Sequence, residues 1–180
     1  MKERIGNIWD YWQHELGEYG NKRNYIAVIP TNGVVKENGE LMMGAGVARQ
    51  AVTMVRRIPL VLGDFVTQYG NKSFCLPLMN ERIPMATFPT KEHWRSPSTL
   101  ERIEESATQL ARWAKMNSSY IYLLPPPGCG LGKLLYKDVQ PIIAPILPDN
   151  VWVMTRDGWT GALTRIINCS NGEMVGISNE

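Results

Sequence analysis

Short apolar runs recur along this chain, and segments with helical spacing separate them. The clearest runs are residues 25–29, 120–124 and 151–154, which are rich in β-branched and aromatic residues. Runs of this length and composition indicate buried strands. Strands that alternate with helices along a chain are typical of a layered α/β fold. We therefore predict an α/β domain, and we expect its sheet to be mostly mixed.

Two helices are indicated between these strands. Residues 98–116 form the clearer one, because Ser98 and Glu101 have the spacing of a capping box. Its apolar positions step by three and four, so they share one face and predict core rather than a cofactor site. These positions are Leu100, Ile103, Ala107, Leu110 and Ala114. The second helix is predicted over residues 44–58 and should stop at Pro59.

The remaining elements are shorter. Residues 74–79 and 83–88 each contain a proline, so we predict edge or bulged strands there. A short helix is predicted over 138–147, with a kink or an early end at Pro145. An amphipathic helix near the N-terminus should cover the sheet through Trp9, Trp12 and Leu16. Residues 1–156 are predicted to form one domain, and 157–180 a C-terminal extension with one short helix.

Composition and charge narrow the classes of function. Lysine and arginine exceed aspartate and glutamate by only two, which argues against a general nucleic-acid or membrane-surface binder. No apolar run approaches the roughly 20 residues that span a bilayer, and the N-terminus lacks a signal-peptide pattern. The three cysteines, Cys75, Cys129 and Cys169, are scattered and lack CxxC spacing. We therefore expect no disulfide framework, no metal site, no cofactor and a cytoplasmic location.

Two glycine-rich segments suggest where a ligand binds. Gly44-Ala45-Gly46 and the alternating Gly128, Gly130 and Gly132 each lie between a predicted strand and a predicted helix. Without side chains, such loops let a ligand approach the backbone, and a helix N-terminus presents free N–H groups to an anion. Two of them at neighbouring strand ends would hold the two phosphates of a diphosphate. For either segment alone, a simple tight turn is equally possible.

Familiar nucleotide-binding motifs do not fit these segments. A P-loop requires GxxxxGK[ST], but the span from Gly128 to Gly132 is one residue short, and Leu134 occupies the Ser/Thr position. A dinucleotide fingerprint requires GxGxxG, but Arg49 stands at the third glycine position after Gly44 and Gly46. Nucleotide kinases, NTPases and dinucleotide-dependent enzymes are therefore disfavoured.

Taken together, these segments resemble a macro domain, in particular the branch of terminal ADP-ribose glycohydrolases and DNA ADP-ribosyl glycohydrolase antitoxins. The similarity runs in order from about residue 6 to residue 154. The matching strings are Gly6-Asn7-Ile8, Pro30-Thr31-Asn32-Gly33, Met42-Met43-Gly44-Ala45-Gly46-Val47-Ala48, Phe88-Pro89-Thr90-Lys91 and Pro127-Gly128-Cys129-Gly130-Leu131-Gly132. The resemblance implies a three-layer sandwich with a central mixed sheet flanked by helices, and ADP-ribose or an ADP-ribosylated macromolecule as partner.

The resemblance also implies roles for individual residues. Asn7 and Ile8 would lie near adenine, with Asn7 where the family usually has Asp, and Asn32 would face the distal ribose. Lys91 matches the lysine that this branch uses for catalysis. The diphosphate loops would be Gly44, Ala45, Gly46 and Val47, and Pro127, Gly128, Cys129, Gly130, Leu131 and Gly132.

One departure leaves two functions open. Some members carry an aspartate as a partner to the lysine at the position of Gly132, whereas antitoxin-like members have glycine there. Lys91 favours a hydrolase that releases ADP-ribose, with Lys91 stabilising charge or acting as a nucleophile. Gly132 favours a non-catalytic reader of ADP-ribose. His93 is a candidate acid/base, although a capping role fits it equally well. Residues 34–41 have a suitable length for a lid over the ligand.

Overall fold

The computed structural model describes residues 1–14 and 24–155 of the chain. Its centre is one sheet of five strands in the order β1-β5-β4-β2-β3. The strands are β1 (Lys2–Ile5), β2 (Asn24–Thr31), β3 (Met85–Pro89), β4 (Tyr120–Leu124) and β5 (Val151–Thr155). All neighbouring strands are parallel.

The prediction of a mixed sheet was therefore wrong. Parallel neighbours need a crossover connection, which is usually helical, and each connection between consecutive strands here contains at least one helix. In the described residues, antiparallel contacts occur only as two isolated bridges: one joins Val35 and Leu41 within a loop, and the other joins Cys75 to Ala86 of the edge strand β3. The predicted strand over residues 74–79 is reduced to the second of these bridges. A 3₁₀-helix (Leu76–Met79) follows, with Pro77 in its first turn.

Helices cover both faces of the sheet, which confirms the layered α/β sandwich. Successive residues of a strand point to opposite faces, so each strand contributes to two cores. One core packs α4 (Leu100–Met116) and α5 (Tyr136–Ile143) against residues such as Val28 and Val153. The other packs α1 (Ile8–His14), α2 (Gly46–Met54) and α3 (Ile58–Tyr69) against residues such as Ile29 and Leu123.

Proline positions account for several errors in the predicted boundaries. Pro59 does not end the helix that begins near Gly44; it stands in the first turn of α3, where its missing N–H costs nothing. Pro30 does not end β2, because the pairing with β4 finishes at Ala27 and the strand continues alongside β3. In contrast, the early end predicted for the helix at Pro145 is confirmed, because α5 ends at Ile143 and tolerates Pro141 inside it.

The apolar stripe of α4 is confirmed as core, but its cap is not the predicted one. The hydroxyl of Thr99, rather than of Ser98, accepts the hydrogen bond from the Arg102 N–H at 3.2 Å. Ser98 instead donates its backbone N–H to the Gly132 carbonyl at 3.0 Å. The residue before the cap therefore ties the start of α4 to the second glycine segment.

Residues 34–41 do not form a lid; they pack on α3. The Leu41 N–H donates to the Pro59 carbonyl at 2.8 Å, and the Leu41 side chain is fully buried. Gly63 of α3 lies directly beneath Gly39, since a Cβ at Gly63 would overlap the Gly39 carbonyl oxygen. The turn is closed by a salt bridge of 2.8 Å between Lys36 and Glu40.

The N-terminal helix behaves as predicted in the part that the structure describes. Trp9 and Trp12 of α1 are buried in the second core, whereas Leu16 lies outside the described residues. The predicted C-terminal extension, residues 157–180, also lies outside them. Within the described ranges, the structure contains no helix long and apolar enough to cross a membrane.

Candidate ligand-binding site

Both glycine-rich segments line one cavity of about 990 Å³ at the carboxyl end of the sheet. In parallel α/β folds, ligands bind at this end, where strands give way to loops and helix N-termini. The lining residues that the sequence predicted are Asn7, Ile8, Asn32, Gly44, Ala45, Gly46, Val47, Lys91, Gly128, Gly130, Leu131 and Gly132. Pro127 and Cys129 were also predicted but do not line it.

The first glycine loop, residues 44–47, leads into α2. Gly46 has φ +55°, a left-handed conformation that favours glycine. A Cβ at Gly44 or Gly46 would meet no atom within 4 Å. The helix has no side-chain hydrogen bond at its N-cap, Ala45. Its first N–H groups are therefore not capped by a protein side chain and lie beside the cavity.

The second glycine loop, residues 128–132, is built differently. Gly128 has φ +74°, and a Cβ there would lie 2.8 Å from Leu134 Cδ1. A Cβ at Gly132 would overlap the Gly128 carbonyl oxygen and the Ser98 hydroxyl. Gly130 is the open position of this loop, with no atom within 4 Å of its Cβ direction. This loop is thus fixed by packing and by hydrogen bonds such as Leu134 N–H to Gly128 O, at 3.0 Å.

Cys129 turns away from the cavity and packs against the core beneath α4 and α5. Its thiol lies 3.4 Å from the Pro127 carbonyl oxygen, to which it donates. Burial, and then the charge of Asp138, raises the pKa of the thiol to about 12. A thiol held protonated in this way is a poor nucleophile.

Lys91 follows β3 and reaches across the cavity towards the second loop. Its ammonium donates to the Leu131 carbonyl oxygen at 3.3 Å. Burial lowers the pKa of the Lys91 amine, and the nearby positive charge of Lys133 lowers it further. No carboxylate of the described ranges forms a salt bridge with it. A half-buried amine with a lowered pKa can act as a cation or, when neutral, as a nucleophile.

Asn32 lines the cavity with its side-chain amide already engaged. Its Nδ2 donates to the Met42 carbonyl at 2.9 Å, and its Oδ1 accepts from the Val34 N–H at 3.0 Å. One amide proton and one lone pair are left for a ligand. Asn32 therefore also fixes the course of the chain from β2 to the first glycine loop.

Asn7 takes over a helix-capping role at the opposite side of the cavity. Its Oδ1 accepts from the Trp9 N–H at 3.1 Å, at the start of α1. The Nδ2 group is not used in this contact, so Asn7 offers a ligand a donor as well as a second lone pair. An aspartate at this position would offer acceptors alone.

Several lining residues were not predicted. Trp94 and Arg95, three and four residues after Lys91, line the cavity, and the Arg95 guanidinium lies 4.6 Å from the centre of the Trp94 ring. Gln50 of α2 also lines the cavity and accepts from the Trp9 indole N–H at 2.9 Å. The others are Gly6, Pro30, Thr31, Met42, Met43, Ala48, Thr90, Pro125, Pro126 and Met154. Seven of these residues, Gly6, Pro30, Thr31, Met42, Met43, Ala48 and Thr90, stand inside the matching strings, but no role was predicted for them. For Trp94 and Arg95, the only signal in the sequence is their position just after Lys91.

His93 does not line the cavity. Its Nδ1 accepts from the Arg95 N–H at 3.2 Å, and the following residues form a turn rather than a helix. The geometry therefore favours a local capping role for His93, in a turn rather than at a helix, over a role as acid/base.

The charge of the cavity is one-sided. Its ionisable lining residues are Lys91 and Arg95, and no aspartate or glutamate of the described residues lines it. Two cations and two sets of backbone N–H groups suit an anionic ligand. Within residues 1–14 and 24–155, no cluster of three or more His, Cys, Asp or Glu could hold a metal ion.

A three-layer α/β sandwich with paired loops at the carboxyl end of its sheet is the architecture of macro domains, and this chain has the macro domain fold. The macrodomain of Thermus aquaticus DarG is 25% identical over 87% of this chain and 97% of that chain, with a TM-score of 0.60. The macrodomain of Mycobacterium tuberculosis DarG is 23% identical over 84% of this chain and 95% of that chain, with a TM-score of 0.61.

A third similar structure is Thermosipho africanus DarTG in complex with ADP-ribose. It is 20% identical, with a TM-score of 0.59, and the match covers 73% of this chain and 38% of that chain. The present chain thus spans well under half the length of that protein. The sequence matches no protein-family model and no curated protein.

Proposed function

We propose that this chain binds ADP-ribose in the cavity and hydrolyses the bond between its distal ribose and an acceptor. The observation that carries the proposal is the convergence of both glycine loops on one cavity that also contains Lys91. The likeness to a DarTG complex with ADP-ribose supports this choice of ligand. The acceptor is a protein or nucleic-acid group, or the substrate is a free ADP-ribose derivative.

The binding step uses the backbone more than side chains. The diphosphate lies between the loop at Gly44–Val47 and the loop at Gly128–Gly132, whose N–H groups act as donors. Asn7 and Ile8 contact the adenine end, and Asn32 orients the distal ribose. The cations of Lys91 and Arg95 balance the negative charge of the diphosphate. The other lining residues are uncharged and do not contribute to this balance.

In the chemical step, the bond between C1″ and the acceptor breaks, and a bond from C1″ to the oxygen of water forms. As a cation, Lys91 stabilises the negative charge that develops on the departing acceptor; alternatively, its neutral amine forms a transient adduct at C1″, which water then resolves. The proton released from water ends on the departing acceptor. The lowered pKa of Lys91 is compatible with either role.

The decisive test compares the wild type with Lys91→Ala on ADP-ribosylated protein and ADP-ribosylated DNA. We expect release of ADP-ribose by the wild type and a loss of about 100-fold or more in the variant, as for removal of one charge-stabilising group. Lys137→Ala, on the exposed side of α5, is the matched control and should behave as wild type. Equal release by Lys91→Ala and wild type would contradict the proposed role of Lys91.

The second candidate is a reader that binds ADP-ribose without cleaving it. Two observations favour it: the cavity lining of the described chain lacks a carboxylate, and the packing of Gly132 leaves no room for one at that position. Binding of free ADP-ribose by calorimetry, with no release from any substrate, would establish the reader. Failure to bind ADP-ribose would overturn both candidates.

A further inference from the structure

A polar network outside the cavity holds the segment that carries Lys91. At its centre is Asn71, just after α3. The Asn71 Nδ2 group donates to the Lys91 carbonyl oxygen at 3.1 Å and to Glu92 Oε2 at 3.0 Å. The Asn71 carbonyl in turn accepts from the guanidinium of Arg102. One asparagine therefore connects α3, α4 and the end of β3.

Arg102 closes this network from the first turn of α4. Its side chain is only 14% exposed and forms ion pairs with Glu92 at 3.3 Å and Glu105 at 2.7 Å. A largely buried guanidinium is costly unless its donors are matched. Its two terminal nitrogens donate to Glu105 and to the Asn71 carbonyl, while Nε faces Glu92 as an ion pair without a hydrogen bond. Glu92 directly follows Lys91 in sequence, but its carboxylate pairs with Arg102 rather than with Lys91.

The same network reaches the end of β2, which leads directly into Asn32. The Glu92 carbonyl accepts from the Gly33 N–H at 2.9 Å, and the Thr31 carbonyl accepts from the Thr90 N–H at 3.0 Å. A Cβ at Gly33 would stand 3.0 Å from Asn71 Nδ2, so Asn71 packs directly on that glycine. The ends of β2 and β3 are thus locked together behind the cavity.

We propose that Asn71 and Arg102 are positioning residues, which fix the Lys91 amine at the distal-ribose end of the cavity and keep the Glu92 carboxylate away from it. Neither residue lines the cavity. This inference rests on the proposed function, because a fixed Lys91 matters for the reaction and much less for binding. Misplacement of a reacting group by about 1 Å can lower a rate by about 100-fold.

The test separates rate from affinity and from stability. Asn71→Ala and Arg102→Gln are compared with wild type and with Arg112→Gln, an exposed arginine on the same helix. We expect kcat for ADP-ribose release to fall about 10-fold to 100-fold in both network variants, with the Kd for free ADP-ribose close to that of wild type. Arg112→Gln should match wild type in both quantities. An unchanged kcat in Asn71→Ala would overturn the inference.

A rescue experiment distinguishes positioning from a general loss of structure. The double variant Arg102→Gln, Glu92→Gln removes the carboxylate that Arg102→Gln releases, and should recover part of kcat without recovering thermal stability. If Arg102→Gln does not fold, Asn71→Ala still tests whether the network positions Lys91. Glu92→Gln then tests the role of the Glu92 carboxylate; this variant should fold, because the Glu92 side chain is 70% exposed. No recovery in the double variant would overturn the role assigned to Glu92.

A measurement that does not depend on activity tests the positioning of Lys91 separately from the proposed hydrolysis. The reactivity of each lysine towards acetic anhydride is followed by mass spectrometry in wild type and Asn71→Ala. We expect Lys91 to become more reactive in the variant, while Lys137 stays unchanged. If wild type releases no ADP-ribose, the proposed hydrolysis fails. An unchanged reactivity of Lys91 would, in contrast, show that Asn71 does not fix it.

Discussion

The two glycine loops look alike in sequence, but the reasons for their glycines differ. In the first loop, a side chain at Gly44 or Gly46 would meet no protein atom. In the second, side chains at Gly128 and Gly132 would collide with Leu134, Ser98 or the loop itself, and only Gly130 is open. The first loop leaves space for a ligand. The second uses most of its glycines to fold tightly against the start of α4.

This difference separates effects on binding from effects on folding. A substitution in open space leaves the protein intact and changes only what can enter the cavity. A substitution at a packed glycine must displace backbone, and the displaced loop loses its ligand geometry as well. Each of the following substitutions tests one side of this comparison.

Gly132→Ala should have the largest effect. The added methyl group overlaps the Gly128 carbonyl oxygen and would lie 2.8 Å from the Gly128 carbonyl carbon. Backbone atoms cannot move aside as a flexible side chain can, so we expect a loss of about 2–3 kcal/mol in the free energy of unfolding. Denaturant unfolding measures it, and calorimetry should show strongly reduced binding of ADP-ribose.

Gly130→Ala is the matched control in the same loop. Nothing lies within 4 Å of its Cβ direction, so the free energy of unfolding should change by less than about 0.5 kcal/mol. If Gly132→Ala proved as stable as Gly130→Ala, the second loop would not be held by packing, and the contrast between the loops would disappear.

Gly44→Ala should have a smaller effect, and this effect should fall on ligand binding rather than on stability. Its added methyl group meets no protein atom, and alanine restricts the unfolded chain, so stability should be unchanged or rise by about 0.5 kcal/mol. Under the proposed function, the methyl group would occupy space that the diphosphate needs, and we expect ADP-ribose to bind about tenfold more weakly, or about 1.4 kcal/mol. A loss of stability without a loss of affinity would reverse the roles assigned to the loops.

Lys133→Asn should have the smallest effect and tests a charge that follows the second loop. Asparagine tolerates the positive φ of this position, 66°. Burial is the main cause of the lowered pKa of Lys91, and the charge of Lys133 is the second cause. Removing that charge should raise the pKa of Lys91, so its acylation profile should move to higher pH. An unmoved profile would leave burial as the sole cause.

The sequence was sufficient to predict the layers, the buried strands β2, β4 and β5, and the core stripe of α4. The two glycine segments and Lys91, which the sequence singled out, line one cavity in the structure, but the parallel pairing that brings them to one edge of the sheet was not predicted. The sequence did not predict β1 (Lys2–Ile5), because three of its four residues are charged and the strand is largely exposed at the edge of the sheet. Nor did it predict α3, because Pro59 suggested an end where it marks a beginning.

The remaining errors share a physical cause. The direction of a strand depends on its connections. Two strands predicted in direct succession, over residues 74–79 and 83–88, are compatible with a mixed sheet, but the first of them is only an isolated bridge in the structure. Contacts such as those of Asn71 with Lys91 and of Ser98 with Gly132 join residues 20 or more positions apart. The sequence shows where the glycines are, but the atoms that pack against Gly128 and Gly132 are known only from the folded chain.

The docking of residues 34–41 on α3 has a practical consequence. The tip of this turn, Glu37 and Asn38, is exposed, while its base is anchored by Leu41 and by the contact of Gly39 with Gly63. None of these residues borders the cavity. A fluorophore or an immobilisation tag attached at Glu37 would thus be held by an anchored turn, away from the residues that line the cavity.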